Sequence, residues 1–394
     1  MKKSLPLIIG LLFLLAVEIL KVYFIMPFPG SQRSDTIDIA YFLDKYIWVL
    51  RILGIIIVIS PLLYYLRKGR WWQKSLLIIV LLVYGVVVYE FNFKFLADKM
   101  FYQPKEKLFT NNIADSIKNK LVIGVAINGE AKAYPIEIIG YHHQVKDTVG
   151  NTPIIVTYCT VCRTGRVYSP FVNGKYELFR LVGMDHFNAM FEDATTKSWW
   201  RQESGEAITG KLKGTVLPEI PSRQMKLADW LQLYPNSLVL LPDTNFKKRY
   251  AGLKGYDIDT SQGSLETRDS ASWKFKSWVI GVKINNETKA YDWNTLVTHK
   301  IIEDSFAATP LIITLQPNGQ TFYGLNRNVN GKTLHFTYDA TGAVLHDAET
   351  NSTWQLNGVC TDGAMKGSNL QPVQSYQEFW HSWQTFHPGT KTNK

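Results

Sequence analysis

The sequence predicts an α+β, strand-rich, internally duplicated soluble domain of two lobes, preceded by three transmembrane α-helices. Three observations predict this fold: apolar runs confined to the first hundred residues, a sequence repeat in the remainder, and short alternating runs punctuated by Asn-Gly pairs. The predicted domains are a membrane domain at 1–98, repeat one at 99–235, a linker at 236–278 and repeat two at 279–394.

Three apolar runs near the N-terminus predict the membrane domain. They extend roughly from Leu5 to Met26, from Ile47 to Leu66 and from Ser75 to Phe95. Each has about 20 residues, the length that crosses the hydrocarbon core of a bilayer as a helix. No small-x-small cleavage site follows the first run and two more spans do, so we interpret it as a span rather than a signal peptide.

The Lys and Arg residues of the short loops predict the orientation. The N-terminus carries Lys2 and Lys3, and the loop between the second and third runs carries four cations without an acid: Arg67, Lys68, Arg70 and Lys74. Cytoplasmic loops are enriched in such residues. The predicted location is therefore the bacterial cytoplasmic (inner) membrane, with the N-terminus inside and the C-terminal domain on the periplasmic or extracellular side.

Charge elsewhere narrows the predicted partners. The net charge is +10 and the pI is near 9.2, yet Lys and Arg alternate with acids and form no block. We predict the lipid bilayer as a partner, no nucleic acid, and an unidentified extracytoplasmic ligand or protein. Glu18, Arg51 and Glu90 fall inside the apolar runs, where they form either a polar cluster or snorkelling side chains.

The soluble part contains an internal repeat. VIGVAINGEAKAY at 122–134 recurs as VIGVKINNETKAY at 279–291, 157 residues later, and the same offset aligns His142 with His299 and Asp147 with Asp304. After a three-residue deletion, FEDATTKSWW at 191–200 faces LHDAETNSTW at 345–354. Asn-Gly and Asn-Asn pairs at corresponding places predict tight hairpin turns. Each copy is predicted to be several strands followed by one or two short helices.

A Cys-x-x-Cys motif occurs in repeat one alone. Cys159 and Cys162 follow a predicted core strand, whereas repeat two has Leu315 to Gly319 in that place. One interpretation is a transition-metal site for copper, zinc or iron, completed by His142 or His143, with His186 less favoured. A second is a redox pair, and hence a thiol–disulfide oxidoreductase. A third is a structural disulfide or a buried thiol pair in a non-catalytic ligand- or protein-binding scaffold, whose cleft between the copies does the work.

Other chemical signatures are missing from the sequence. A c-type haem motif requires His directly after the second Cys, and Arg163 stands there. We find no phosphate-cradling Gly loop, no GxSxG elbow, no HExxH motif and no EF-hand loop. Cys360 is predicted to be a lone buried thiol. Whether the chain is an enzyme stays open at this point.

The motifs of the soluble part resemble a known family. Gly-Glu-Ala-Lys-Ala-Tyr-Pro at 129–135, Tyr-Cys-Thr-Val-Cys at 158–162 and Ser-Trp-Trp-Arg-Gln at 198–202 resemble the bacterial domain of unknown function 3179 family over roughly residues 120–390. The chain departs from the family pattern at Lys146, where Asn is usual, and at Thr160-Val161, in place of Pro-Leu. The resemblance implies a fold and a motif set without an activity. On that pattern, six residues fall on motif positions: His142, Asp147, Cys159, Cys162, Trp200 and Gln202. Tyr158, Arg163 and Thr164, which adjoin the cysteines, are predicted as further supporting residues.

Overall fold

The structure is a computed structural model that describes residues 4–258, 263 and 265–393. Its α-helices are α1 (Ser4–Tyr23), α2 (Ile37–Lys45), α3 (Ile47–Lys68), α4 (Trp71–Tyr89), α5 (Ala97–Met100), α6 (Ile136–His142), α7 (Leu227–Leu233), α8 (Lys247–Ala251), α9 (Trp293–His299) and α10 (Trp380–Phe386). A π-helical turn, Glu90–Lys94, continues α4.

Three helices of the described residues are long and apolar enough to cross a membrane. They are α1, α3 and the continuous helix Trp71–Lys94. Their outward side chains are apolar and largely exposed, as expected for surfaces that face lipid rather than water. The prediction of three apolar N-terminal helices is confirmed.

A polar cluster joins these three helices. Arg51 donates from Nε to Glu18 Oε1 at 2.6 Å and from Nη2 to Glu18 Oε2 at 2.8 Å. Asn92 donates to the same carboxylate at 2.9 Å, and Lys21 contacts Asn92. Of the residues expected to snorkel or cluster, Glu18 and Arg51 therefore cluster. Glu90 instead pairs with Lys94 at the exposed end of its helix.

The remainder of the chain is built mainly from short strands. They are β1 (Phe109–Thr110), β2 (Leu121–Ile127), β3 (Glu130–Pro135), β4 (Gln144–Val149), β5 (Thr152–Cys159), β6 (Thr164–Tyr168), β7 (Phe171–Val172), β8 (Lys175–Tyr176), β9 (Phe179–Asp185), β10 (Asn188–Asp193), β11 (Trp199–Arg201), β12 (Ala207–Thr209), β13 (Arg223–Lys226), β14 (Leu238–Leu240), β15 (Trp278–Ile284), β16 (Glu287–Asp292), β17 (Ile301–Phe306), β18 (Thr309–Leu315), β19 (Phe322–Asn326), β20 (Asn328–Val329), β21 (Lys332–Thr333), β22 (Phe336–Asp339), β23 (Val344–Asp347), β24 (Thr353–Gln355), β25 (Cys360–Asp362), β26 (Gln371–Pro372), β27 (Ser375–Phe379) and β28 (Lys391–Thr392). The predicted strand-rich α+β class is confirmed.

Elements of the first copy recur in the second in the same order. The series β2, β3, α6 and β4 has counterparts of equal length 157 residues later, in β15, β16, α9 and β17. Sheet order corresponds too: β14-β3-β2-β13 matches β28-β16-β15-β27, and β4-β5-β6 matches β17-β18-β19. The tight turns predicted at Asn128 and Asn285 have left-handed backbones, which Asn tolerates better than most residues.

A glycine under a tryptophan fixes the last helix of each copy. A Cβ on Gly124 would lie 2.4 Å from the Trp230 ring, and a Cβ on Gly281 would lie 2.0 Å from the Trp383 ring. Trp383 follows Trp230 by 153 residues, and each indole N–H donates to a hydroxyl seven residues further on, Ser237 or Thr390. Only glycine lets α7 and α10 approach their strands so closely.

The described chain divides into two compact units that do not coincide with the two copies. One contains residues 1–102 and 171–216, and the other contains 103–170 and 217–394. Within the second unit, one core cluster draws on both copies, including Val122, Trp230, Ile312 and Trp354. The equivalent residues Gln224 and Gln377, 153 apart, hydrogen-bond to each other at 2.8 Å in this unit.

Candidate functional site

The Cys-x-x-Cys motif closes a hairpin between two buried strands of the second unit. Strands β5 and β6 pair antiparallel, and Cys159 faces Thr164 across the last rung. Residues 160–163 form the loop, and Arg163 has the left-handed backbone (φ 57°) that allows the chain to rejoin β6. Cys159 and Cys162 are both reduced thiols, and both side chains are fully buried.

The corresponding loop of copy two keeps the strands and changes the connection. Strands β18 and β19 pair in the same way, and Leu315 faces Phe322 at the end of the ladder. The connection spans residues 316–321, two longer than in copy one, and turns at Gly319 (φ 69°). The sheet geometry therefore does not require the two cysteines.

Backbone hydrogen bonds hold the cysteine loop from two sides. The Phe379 amide donates to the Cys162 carbonyl at 2.9 Å, immediately before α10 begins in copy two. The Tyr256 hydroxyl donates to the Thr160 carbonyl at 2.6 Å. Burial raises the pKa of Tyr256 well above its ordinary value, so this phenol stays a donor. Both contacts fix the loop to segments more than 90 residues away along the chain.

Arg163 lies in an aromatic enclosure beside the second cysteine. Its guanidinium lies 3.8 Å from the centroid of the Tyr256 ring, 5.8 Å from that of Trp278 and 6.0 Å from that of Phe379. Aromatic faces stabilise a desolvated cation through their quadrupoles. The loop thus places a permanent, buried positive charge among three aromatic rings.

A buried ion pair ties the same hairpin to copy two. Arg166 on β6 donates to Glu378 on β27 at 2.7 Å, and both side chains are almost completely buried. The Arg166 guanidinium also lies 3.5 Å from the centroid of the Tyr376 ring and donates to the hydroxyl of Thr164. Arg166 corresponds to Tyr323 in copy two, so the arginine of this pair is present only in the copy that carries the thiols.

His143 is buried next to the strand that leads into the loop. Its backbone is left-handed, and its Nδ1 lies 2.9 Å from the Tyr158 carbonyl oxygen. A carbonyl can only accept, so Nδ1 carries the proton and Nε2 carries the lone pair. Burial lowers the pKa of His143 to about 4, and the ring is therefore neutral at physiological pH.

His142 and Asp147 have partners of their own. His142 Nε2 lies 2.6 Å from the hydroxyl of Tyr250. Asp147 accepts from the Tyr134 hydroxyl at 2.7 Å and from Lys132 at 3.2 Å. In copy two, Asp304 repeats the arrangement with Tyr291 and Lys289. Asp147 thus takes part in a contact that both copies share, with or without cysteines.

Three further predicted residues belong to the first unit. The Trp200 indole donates to Asp193 at 3.0 Å, Gln202 accepts from Asn188 at 3.0 Å, and His186 pairs with Asp185 at 2.7 Å. The hydrogen bond that His186 donates to Asp185 raises the pKa of His186. Trp354 of copy two donates to Asp347 in the same manner as Trp200, which indicates a shared structural role for this tryptophan.

The predicted ligand set does not assemble into a metal-binding group of three or more. Across residues 4–258, 263 and 265–393, no such group of His, Cys, Asp or Glu side chains is placed to hold a metal ion. The predicted set was Cys159, Cys162, His142 and His143. Sequence reasoning also missed Arg166, Glu378 and Tyr256. For Arg166, the replacement by tyrosine (Tyr323) in copy two was an available signal.

A family comparison places this hairpin in a wider context. A protein-family model described as "Protein of unknown function (DUF3179)" matches residues 109–390. The chain belongs to this family. The match confirms the resemblance drawn from the motifs and extends over the whole duplicated region. Searches of curated proteins and of solved structures each return no match. The family description names no activity.

Proposed function

We propose that the chain is a membrane-anchored protein that binds a soft monovalent metal ion, Cu(I), through the thiolates of Cys159 and Cys162. The observation that carries the proposal is a pair of reduced, buried thiols on one tight hairpin loop, while the corresponding loop keeps its strands and lacks both. The two copies share the strands, and only one of them carries the two soft ligands. This difference favours a role of the cysteines in metal binding over a role in folding.

The ligand count favours copper over zinc or iron. Structural zinc is almost always held by four protein ligands, and catalytic zinc by three. Two thiolates in one loop are a sufficient ligand set for Cu(I), which accepts linear coordination, and thiolates are the ligands that this ion prefers. The buried cation of Arg163 beside the loop would offset the negative charge of a bis-thiolate copper site.

The proposal is tested by metal titration of the full-length protein in detergent. The reduced protein is titrated anaerobically with Cu(I) against a chromogenic Cu(I) chelator. We expect one Cu(I) per chain, lost in Cys159→Ser/Cys162→Ser and kept in Cys360→Ser, which removes the other buried thiol. Tryptophan fluorescence checks the fold, and Cys162→Ala serves if the double variant unfolds. Equal copper binding by wild type and both cysteine-loop variants would refute the proposal.

A redox role is the alternative with its own observation. The two cysteines lie three residues apart in one turn, close enough in sequence to form a disulfide with each other. One thiolate would attack the disulfide of a partner protein and form a mixed disulfide with it. The second thiolate would then attack the sulfur of the first cysteine and release the partner. The partner would leave with two thiols, and the loop would keep a disulfide. Mass spectrometry after alkylation distinguishes this case, because Cys159 and Cys162 of the protein as isolated would then be protected until reduction.

A binding cleft in the second unit supports a third, non-catalytic function. A cavity of about 340 Å³ is lined by residues of both copies, including Trp230, Tyr234, Phe322 and Tyr323, with Arg223 and Gln374 as polar groups. Clefts with aromatic walls and a few polar groups are common ligand sites. Ligand binding that survives the cysteine substitutions and fails in Arg223→Ala would favour this scaffold function.

The domain's location is part of the proposal. The four cations around the junction of α3 and α4 (the last two residues of α3, Arg70 and Lys74) have no acid among them, which supports an N-terminus inside and a domain outside the cytoplasm. Protease treatment of intact spheroplasts tests this orientation. We expect digestion of the domain beyond residue 103 without lysis, and protection until lysis would reverse the assignment.

A further inference from the structure

A second, charged cavity lies within the first unit. It has a volume of about 900 Å³ and is lined by α2 and by strands and turns of the β9–β12 sheet. Its charged lining residues are Asp44, Lys45, Arg180, Glu192, Lys197 and Lys211. Four cations against two carboxylates give the cavity wall a net positive charge.

The cations are not equally neutralised. Glu192 is buried and accepts from Arg180 at 2.9 Å, with Lys197 at 3.9 Å. Lys45 and Lys211 make no ion pair within the part of the chain that the structure describes. Lys45 instead lies over the aromatic rings of Tyr41 and Tyr46. Two ammonium groups are thus available to an anionic ligand.

The position of α2 puts this cavity at the level of the lipid head groups. Lys45 ends α2, and after a single intervening residue Ile47 begins α3, a helix apolar enough to span a bilayer. The aromatic residues around this junction, Phe42, Tyr46 and Trp48, are exposed by 51%, 41% and 70%. Exposed aromatic residues next to a span are typical of the membrane–water interface.

We propose that this cavity binds the phosphate diester of an anionic phospholipid head group. Lysines near a bilayer surface attract anionic lipids, and ammonium–phosphate hydrogen bonds are charge-assisted. Asp44 and Glu192 line the same wall and would repel a second negative charge. The cavity therefore selects a singly charged diester over a doubly charged phosphate monoester. Burial, followed by the nearby Glu192, raises the pKa of Asp44, which agrees with a site that tolerates little added negative charge.

Lipid binding by the full chain tests this inference independently of the copper proposal. The protein is placed in nanodiscs of phosphatidylcholine with or without phosphatidylglycerol, and retained lipid is measured by native mass spectrometry. We expect preferential retention of phosphatidylglycerol and a loss of about 30-fold in affinity for Lys45→Gln/Lys211→Gln, from roughly 1 kcal/mol for each lysine. The matched control is Lys213→Gln, an exposed lysine two residues away that pairs with Asp38.

Any one of the following outcomes would overturn the inference. Equal retention of the two lipids, or an equal effect of Lys213→Gln, would show that general surface charge rather than the cavity attracts the lipid. Competition by glycerol phosphate at the concentrations that displace phosphatidylglycerol would show a soluble phosphate site. Preference for phosphatidic acid, a monoester, would contradict the roles given to Asp44 and Glu192.

Discussion

The hairpins β5–β6 and β18–β19 have the same strand pairing, but their loops carry different kinds of side chain. The first carries Cys159, Cys162 and a buried arginine in its loop, while the second carries a polar loop that turns at Gly319. The residue after the preceding helix is left-handed in both copies, yet it is a buried His143 in one and Lys300 in the other. Backbone geometry is thus shared, and the side chains that can do chemistry are confined to one copy.

Contacts that both copies keep define what the scaffold requires. Asp147 and Asp304 each bind a tyrosine hydroxyl and a lysine, and Gly124 and Gly281 each lie beneath a tryptophan. Both copies keep these pairs, although their loops differ. The comparison therefore separates residues that build the domain from residues that distinguish the cysteine hairpin, and the following predictions test that separation.

The largest effect is expected from the buried ion pair that only the cysteine hairpin has. Arg166→Met removes the 2.7 Å partner of Glu378 in an almost completely buried place. Breaking such a pair on one side typically costs about 3–5 kcal/mol of stability. Denaturant unfolding followed by tryptophan fluorescence measures this change. The double variant Arg166→Met/Glu378→Met is expected to recover part of the loss, because it leaves no buried carboxylate.

The next effect depends on pH and on His143. The unfolded chain protonates this histidine near pH 6.5, whereas burial holds the folded pKa at about 4. Between these values the unfolded state binds more protons, so stability falls as the pH decreases from about 6.5 to about 4. The expected loss at pH 4.5 is roughly 2 kcal/mol. His381 has a similarly lowered pKa, so it contributes a parallel loss.

His143→Asn isolates the contribution of copy one. Asparagine tolerates the left-handed backbone and does not titrate, so the fall in stability between pH 7 and pH 4.5 should shrink. His335→Asn is the control, because His335 is exposed and pairs with Glu349 at the surface. An unchanged pH profile in His143→Asn would mean that this ring is not held neutral in the folded protein.

A smaller, paired effect is expected at the shared glycines. Gly124→Ala and Gly281→Ala each push a Cβ into a tryptophan ring, at 2.4 Å and 2.0 Å. Overpacking of this kind costs about 1–3 kcal/mol, and the closer approach at Gly281 predicts the greater loss. Gly85→Ala is the control, because a Cβ there meets nothing within 4 Å. Tolerance of one substitution and failure of the other would break the equivalence of the two copies.

Local pattern was enough to predict the three long apolar helices, the strand-rich class and the position of the cysteines after a core strand. Each of these rests on hydropathy or on residues adjacent in sequence. The pair Arg166–Glu378 joins residues 212 apart, and nothing in a single sequence links them. The sequence also predicted His142 as a ligand candidate, but its partner Tyr250 lies 108 residues away.

The polar cluster of the membrane helices shows a second reason for a miss. The charged residues Glu18, Arg51 and Glu90 stood out in the apolar runs of the sequence, whereas the neutral amide of Asn92 did not. Asn92 is the residue that bridges Glu18 and Arg51, because an amide offers both a donor and an acceptor to an ion pair. Polarity within a span, rather than formal charge, was the informative signal.

The smallest effect is expected at an ion pair that is as close as the buried one but exposed. Lys391 and Glu287 lie 2.5 Å apart in copy two, with 63% and 48% of their side chains exposed. Water solvates both charges in the folded and the unfolded chain, so Lys391→Ala should change stability by less than about 1 kcal/mol. The same unfolding measurement used for Arg166→Met provides the comparison. If the two substitutions lowered stability by the same amount, burial of the ion pair would not explain why the cysteine hairpin depends on Arg166.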